Sequence, residues 1–106
     1  MVAPTPAGRL GMMICFEHAF PDVATALALR GAQVLVIPSA VGCNLAGDGF
    51  CGRSLVADPR GEVLAEAGTE ETVVRAVLDL AAIERERDRE PALRLRRPDL
   101  YGHGRR

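Results

Sequence analysis

The sequence predicts an α/β protein with a mixed sheet. An apolar run at 10–14, a helix-like stretch at 21–30 and a β-branched run at 33–37 make a strand–helix–strand unit. Such a crossover unit places its two strands parallel in one sheet. Residues 53–65 hold the turn sequence Asp-Pro-Arg-Gly between two apolar runs, which predicts an antiparallel hairpin. At 106 residues, this is one domain at most.

Composition limits the core and the partners. The chain is 48% hydrophobic but only 4% aromatic, so the core must be built from aliphatic side chains. The net charge of −1 argues against a nucleic-acid partner, although the segment 85–106 is rich in Arg. Its alternating acidic residues favour a solvated helix. All 13 basic residues are Arg.

The cysteines and the termini predict a compartment. Three Cys without a disulfide-like spacing indicate a reducing environment, so we expect a cytoplasmic protein. The N-terminus lacks the basic and apolar regions of a signal peptide. No apolar run approaches the ~20 residues that span a bilayer. We therefore expect no membrane partner.

The first half of the chain divides at Pro and Gly. Residues 1–8 contain Pro4, Pro6 and Gly8 and are predicted to be a loop before the strand at 10–14. Pro21 suits the first position of a helix, with Asp22 beside it favouring the positive end of the dipole. Gly31 is placed to end that helix. The uninterrupted run at 33–37 predicts a strand buried on both faces.

The second half begins with a Gly-rich, irregular stretch at 38–52, followed by the hairpin. The run from Thr72 to Leu80 alternates and predicts a further strand. Asp79 can cap a helix that begins near Ala81, and Pro91 ends it. Residues 92–106 are predicted to form an extended basic tail.

Cys15 is the main candidate for chemistry. It follows a predicted strand and precedes a predicted helix, the outline of a nucleophile elbow that holds a sulfur clear of the backbone. The alternative is a buried Cys that acts as a small hydrophobe. His18 could serve as the base of a Cys–His pair. Cys43 and Cys51 fit no zinc-binding spacing, so no metal is expected.

Several short motifs, in order along the chain, resemble the C-terminal half of the carbon–nitrogen hydrolase (nitrilase/amidase) superfamily. They are Gly11-x-x-Ile-Cys15-Phe-Glu-x-x-Phe-Pro-Asp22, Gly31-Ala32, Pro38-Ser-Ala40, Phe50-x-Gly-x-Ser54, Asp58-Pro-x-Gly61 and Arg97-Pro-Asp-Leu-Tyr101. The resemblance implies a partial α-β-β-α sandwich, with residues 1–106 as a truncated domain. It also implies an internal deletion after Ala40, where the family has a helix and a further strand.

The resemblance implies a mechanism and a set of residues. Cys15 falls on the nucleophile, the Phe16 main-chain N–H on an oxyanion donor, and Glu17, Ser39 and Ala40 on the substrate pocket. The substrate would be a small amide, carbamoyl amide or nitrile, and no cofactor is implied. The family's general-base Glu and oxyanion Lys precede the Cys and have no counterpart in this sequence.

Two functions remain open at this point. The chain can be a thiol-dependent hydrolase that is impaired alone and whose missing half is supplied by another polypeptide. As partners we expect other copies in a homo-oligomer or a complementing half. The chain can instead be a catalytically dead remnant, an interaction module that associates through open strand edges and the tail at 92–106. The second function predicts a stable oligomer without turnover.

Overall fold

The structure, a computed structural model, describes residues 1–39 and 52–101. Its strands are β1 (Val2–Thr5), β2 (Gly8–Met12), β3 (Val34–Val36), β4 (Leu55–Ala57) and β5 (Val63–Glu66). Its helices are α1 (Pro21–Leu29), α2 (Ala81–Arg89) and α3 (Pro98–Tyr101), with a one-turn 3₁₀ helix at Cys15–Ala19. None of the helices in these two ranges has the length and apolar character that crossing a membrane requires.

β2 is the middle strand of a three-stranded sheet. It pairs antiparallel with β1 and parallel with β3, in the order β1-β2-β3. The sheet is therefore mixed, as the sequence predicted. The predicted α/β class is confirmed, since α1 connects the two parallel strands and packs against them.

The prediction of a loop over residues 1–8 was wrong, because β1 occupies Val2–Thr5. Pro4 was taken as a sign against a strand. β1 lies at the edge of the sheet, however, and an edge strand tolerates a residue that lacks an N–H. The Thr5 hydroxyl donates to the carbonyl of Gly8 at 2.7 Å and accepts from the Ala7 N–H, which closes the turn between β1 and β2.

Helix α1 begins and ends where the sequence predicted. Pro21 is its first residue, and Gly31 lies just beyond its end with a φ of +89°. The Gly31 N–H donates to Ala28 O, and the Ala32 N–H donates to Leu27 O, which together form a Schellman motif. This motif turns the chain directly into β3, so the helix folds back on the sheet.

The core of the described residues is small and lies between α1 and the sheet. Met13, Leu27 and Ala32 are buried, with Val2 and Val23 packed against them. Burial of a side chain such as Leu27 contributes about 1.5–3 kcal/mol. The core is aliphatic, as the low aromatic content predicted.

β3 is parallel to β2, as predicted, but the expectation that it is buried on both faces was wrong. Leu35 and Val36 are exposed, and Val34 is half-buried. α1 covers the face of the sheet at Gly11 and Leu35, which are partners in the register. On the opposite face Met12 and Val36 are exposed, whereas Leu10 and Val34 are half-buried and the Leu80 side chain lies beside Gly8.

The hairpin predicted at 53–65 is confirmed. β4 and β5 pair antiparallel, with a register irregularity between Val56 and Ala57. The Asp58 carboxylate accepts the N–H groups of Arg60 and Glu62, and Gly61 adopts a φ of +85°. These contacts explain the turn sequence: Asp58 accepts main-chain N–H groups, and Gly61 adopts the positive φ.

The strand predicted over Thr72–Leu80 does not form. A strand requires a neighbouring edge for its N–H and C=O groups, and residues 72–79 join neither sheet of the described chain. Val77 is 94% exposed. The alternating sequence thus fits a strand that has no partner here.

Helix α2 is confirmed. Its N-cap residue is Leu80, and the predicted capping residue, Asp79, lies one position earlier and bonds the first N–H of the helix. The Asp79 carboxylate accepts the Ala81 N–H at 3.1 Å and a hydrogen bond from Arg85. The hydrogen bond from Arg85 is the main cause that holds the pKa of Asp79 below its usual value.

The expected extended tail was wrong over residues 92–101. A turn at 92–95 is followed by the short helix α3, and Arg97 forms a paired hydrogen bond with Asp99. That bond lowers the pKa of the Asp99 carboxyl. The tail was predicted from its basic charge, which does not indicate the local hydrogen bond between Arg97 and Asp99.

Candidate active site

Cys15 lies at the carboxyl ends of the two parallel strands. The main-chain pairing between β2 and β3 continues past their last residues: Met13 N–H donates to Val36 O at 3.1 Å, and Cys15 N–H donates to Pro38 O at 2.8 Å. The backbone of Cys15 is thereby fixed to the sheet. In α/β proteins this end of a parallel pair is the usual location of a ligand site.

The conformation of Cys15 is that of an elbow. Its φ of +49° lies in the left-handed region, although it has a β-carbon. This conformation costs a residue other than Gly about 1–2 kcal/mol. Cys15 is also the first residue of the one-turn helix, and it is half-buried. The strand–Cys–helix geometry predicted from the sequence is present.

Two side chains of the one-turn helix fold back on the backbone beside Cys15. The Glu17 carboxylate accepts the Ile14 N–H at 2.6 Å, while the Glu17 N–H donates to Ile14 O at 3.0 Å. His18 Nδ1 lies 2.5 Å from the carbonyl oxygen of Cys15. Because a carbonyl only accepts, His18 carries its proton on Nδ1 in this contact.

These contacts bear on two sequence-based predictions. The Cys–His pair requires His18 to bond the sulfur of Cys15, and the imidazole instead bonds the main-chain oxygen of that residue. Glu17 was expected in the substrate pocket, and its carboxylate bonds the backbone of Ile14. The sequence did hold a signal for this contact, since a Glu three residues after the residue preceding a helix can reach back to its N–H.

Phe16 is placed to offer its main-chain N–H. As the second residue of the one-turn helix, it has no acceptor within that helix. Its ring is 69% exposed and packs edge-on against Phe20, with ring centroids 5.9 Å apart. The aromatic side chain thus lies at the surface, and the main-chain N–H belongs to the residue directly after Cys15.

The pocket residues predicted after β3 are described only in part. The bond from Cys15 to Pro38 brings the 38–39 segment beside the elbow, and the Ser39 hydroxyl donates to Ile37 O at 3.4 Å. Ala40 lies outside the described residues, as do Cys43 and Cys51. Ser39 is therefore close to Cys15 in the fold.

Two hollows of the described chain lie away from Cys15. A hollow of about 410 Å³ is lined by residues 52–56 and 67–74, which belong to the hairpin and the segment after it. A second, of about 270 Å³, lies between the end of α1 and α2. Neither of these two hollows is lined by Cys15, which is half-buried.

The fold and the site define a class of protein: an α/β chain that presents one Cys on an elbow between parallel strands. The model of the carbon–nitrogen hydrolase family matches residues 1–46, the part of the chain that forms this elbow. The chain belongs to the carbon–nitrogen hydrolase family. The resemblance found in the sequence is confirmed.

Two curated relatives are amidases. The chain is 32% identical to the deaminated glutathione amidase of Bos taurus, over 93% of this chain and 39% of that protein. It is 31% identical to the N-carbamoylputrescine amidase of Solanum tuberosum, over 94% of this chain and 48% of that protein. The chain thus spans less than half the length of these relatives. The bovine alignment covers 129 positions, more than the 106 residues of this chain, so it contains gaps in this chain.

A solved structure has the same fold. The carbon–nitrogen hydrolase from Helicobacter pylori superposes with a TM-score of 0.87 at 27% identity. The superposition covers 95% of this chain and 50% of that one. The arrangement of the described elements is therefore that of half of a nitrilase-type fold.

Proposed function

We propose that this chain carries the nucleophile half of a thiol-dependent carbon–nitrogen hydrolase site. The observation that carries the proposal is the left-handed Cys15, tied to the ends of β2 and β3 by its bond to Pro38. A strained residue that its surroundings hold in place is typical of a functional site. The curated relatives, both named as amidases, support the reaction class.

The Cys15 sulfur attacks the carbon of an amide, carbamoyl amide or nitrile. As the carbon–sulfur bond forms, an electron pair moves onto the substrate oxygen or nitrogen, and the Phe16 N–H donates to that atom. For an amide, the carbon–nitrogen bond then breaks, and the nitrogen takes up the proton lost by the thiol and leaves as ammonia or an amine. A nitrile gives a thioimidate, which water converts to the thioester with loss of ammonia. Water then hydrolyses the thioester to the carboxylic acid and returns a proton to the sulfur.

Two groups of this mechanism lie outside these 106 residues. The sequence contains no Lys, so a Lys that stabilises the developing negative charge is not among them. Glu17 already bonds the Ile14 N–H and is not the general base. Loss of an oxyanion donor costs about 10²–10³ in rate, and loss of a base about 10²–10⁴. The chain alone is therefore impaired on amides.

A second copy of these residues brings no Lys, so the partner that completes the site is a complementing half. It would cover the open sheet face at Met12 and Val36 and build the α-β-β-α sandwich. Small amides, carbamoyl amides or nitriles would bind between this partner and Cys15. No cofactor takes part.

The reaction of the whole chain with p-nitrophenyl acetate tests the nucleophile. Nitrophenolate leaves without a proton donor, so acylation of Cys15 does not need the missing groups. We expect a burst of one nitrophenolate per chain, followed by slow turnover. Cys15→Ser abolishes the burst, whereas Cys43→Ser and Cys51→Ser retain it. A full burst in Cys15→Ser would refute the nucleophilic role.

A second function, an interaction module without catalysis, is favoured by the exposed apolar surface. Met12, Val36 and Val77 are exposed in the part of the chain that the structure describes. This function predicts a stable oligomer by analytical ultracentrifugation, together with no burst from any of the three cysteines. A burst that depends on Cys15 excludes it.

A further inference from the structure

Ile14 and Glu17, three residues apart, close a hydrogen-bonded ring at the elbow. Ile14 and Glu17 exchange two hydrogen bonds: Ile14 N–H to the Glu17 carboxylate at 2.6 Å, and Glu17 N–H to Ile14 O at 3.0 Å. The ring encloses Cys15 and Phe16. Its two bonds therefore span the residue whose φ is +49° and the residue that follows it.

The side-chain bond of this ring is the stronger kind. A carboxylate that accepts a main-chain N–H makes a short, charge-assisted bond, and 2.6 Å is short for N–H to O. Glu17 and Ile14 are both exposed, so water can replace the bond when it is lost. Its loss should thus change the geometry of the elbow more than the stability of the fold.

We propose that Glu17 is a positioning residue for Cys15: its carboxylate holds the Ile14 N–H and thereby keeps the sulfur in the conformation that attacks. This inference rests on the proposed nucleophilic role of Cys15. It gives Glu17 the function of an acceptor and not that of a proton-transfer group. The two functions are separable, because a Gln at this position accepts the same N–H but does not act as a base.

The test compares two replacements of similar size in the whole chain. Glu17→Gln keeps an acceptor oxygen, whereas Glu17→Met removes it. We expect the rate constant for acylation by p-nitrophenyl acetate to stay within about twofold in Glu17→Gln and to fall about tenfold in Glu17→Met, the loss that one charge-assisted hydrogen bond allows. Glu71→Met, a change at an exposed Glu outside the elbow, should leave the rate constant unchanged.

Each outcome separates the two proposals. An unchanged rate constant in Glu17→Met overturns the positioning role. A fall in Glu17→Gln as large as that in Glu17→Met also overturns it, because the effect would then belong to the carboxylate charge. If Glu17→Met does not fold by circular dichroism, Glu17→Gln alone decides: a tenfold fall overturns the inference, and a near-natural rate constant supports it. A burst that persists in Cys15→Ser defeats the nucleophile itself, whatever the Glu17 variants show.

Discussion

Residues 1–39 and residues 52–101 are held by different forces. The first region contains all of the buried side chains of the described core, namely Met13, Leu27 and Ala32. It also contains the three-stranded sheet. The second region has no buried residue, and the ion pairs found in the described chain, from Arg53–Glu66 to Arg97–Asp99, all lie within it.

This difference indicates which region can keep a precise geometry alone. Apolar burial between α1 and the sheet orders the backbone around Cys15. Exposed ion pairs contribute only about 0–1 kcal/mol each and are weakened by salt. The family model matches residues 1–46, which contain the first region. We infer that the apolar packing of residues 1–39 forms the elbow, whereas residues 52–101 add no buried side chain to the core.

The largest expected effect is from truncation of the core. Leu27→Ala removes the buried side chain that contacts Met13 and Ala32, and should lower the free energy of unfolding by about 2–4 kcal/mol. Leu64→Ala, in β5 of the second region, should cost less than about 1 kcal/mol, because Leu64 is exposed. Urea denaturation measures both. Equal losses would remove the distinction between the regions.

Gly11→Ala should follow in size. A β-carbon at Gly11 would lie 3.0 Å from the Ala32 β-carbon and 3.1 Å from a Leu35 methyl, with the helix fixed above it. We expect a loss of about 1–3 kcal/mol from overpacking. Gly68→Ala is the matched change in the second region, where nothing lies within 4 Å, and it should be close to neutral. A neutral Gly11→Ala would show that α1 does not pack closely on β2.

A smaller effect tests the strain at the elbow. Cys15→Gly relieves the left-handed conformation, whereas Cys15→Ala keeps the β-carbon. Glycine normally destabilises relative to Ala, but here we expect Cys15→Gly to be the more stable variant by about 0.5–1 kcal/mol. Thermal unfolding of the two variants measures the difference. The reverse order would mean that Cys15 does not adopt a positive φ.

The smallest expected effect is the pH dependence of the stability of the first turn of α2. Arg85 lowers the pKa of Asp79, so the carboxylate favours folding above its ordinary pKa of 3.8, and this contribution is lost as the pH falls below that value. We expect the amide resonance of Ala81 to shift in that range, and Asp79→Asn to abolish the shift. The resonances of Met13 should not follow the same titration. If the resonances of Ala81 and Met13 shifted over the same pH range, the two regions would respond to Asp79 together.

The sequence predicted the elements whose signals are local. Pro21 and Gly31 bounded α1, and the Asp-Pro-Arg-Gly turn located the hairpin, since each residue acts on its own backbone. The strand expected at 72–80 was wrong because an alternating pattern does not supply a neighbouring edge. β1 was missed because the tolerance for Pro4 depends on its position at the edge of the sheet.

The site was predictable in outline only. The order strand, Cys, helix located Cys15, and its positive φ is what that order demands. The bonds of Glu17 and His18 to the backbone depend on the exact turn of the one-turn helix, which composition does not determine.

Amide hydrogen exchange on the whole chain tests most directly the claim that residues 1–39 hold Cys15 in place. The Cys15 N–H is bonded to Pro38 O within the region that contains the core, whereas the hairpin amides of Val63–Glu66 belong to a region without buried residues. We predict that the amides of Met13 and Cys15 exchange at least tenfold more slowly than those of β5, since opening them requires unpacking of the core. Exchange at Cys15 as fast as in the hairpin would contradict the account.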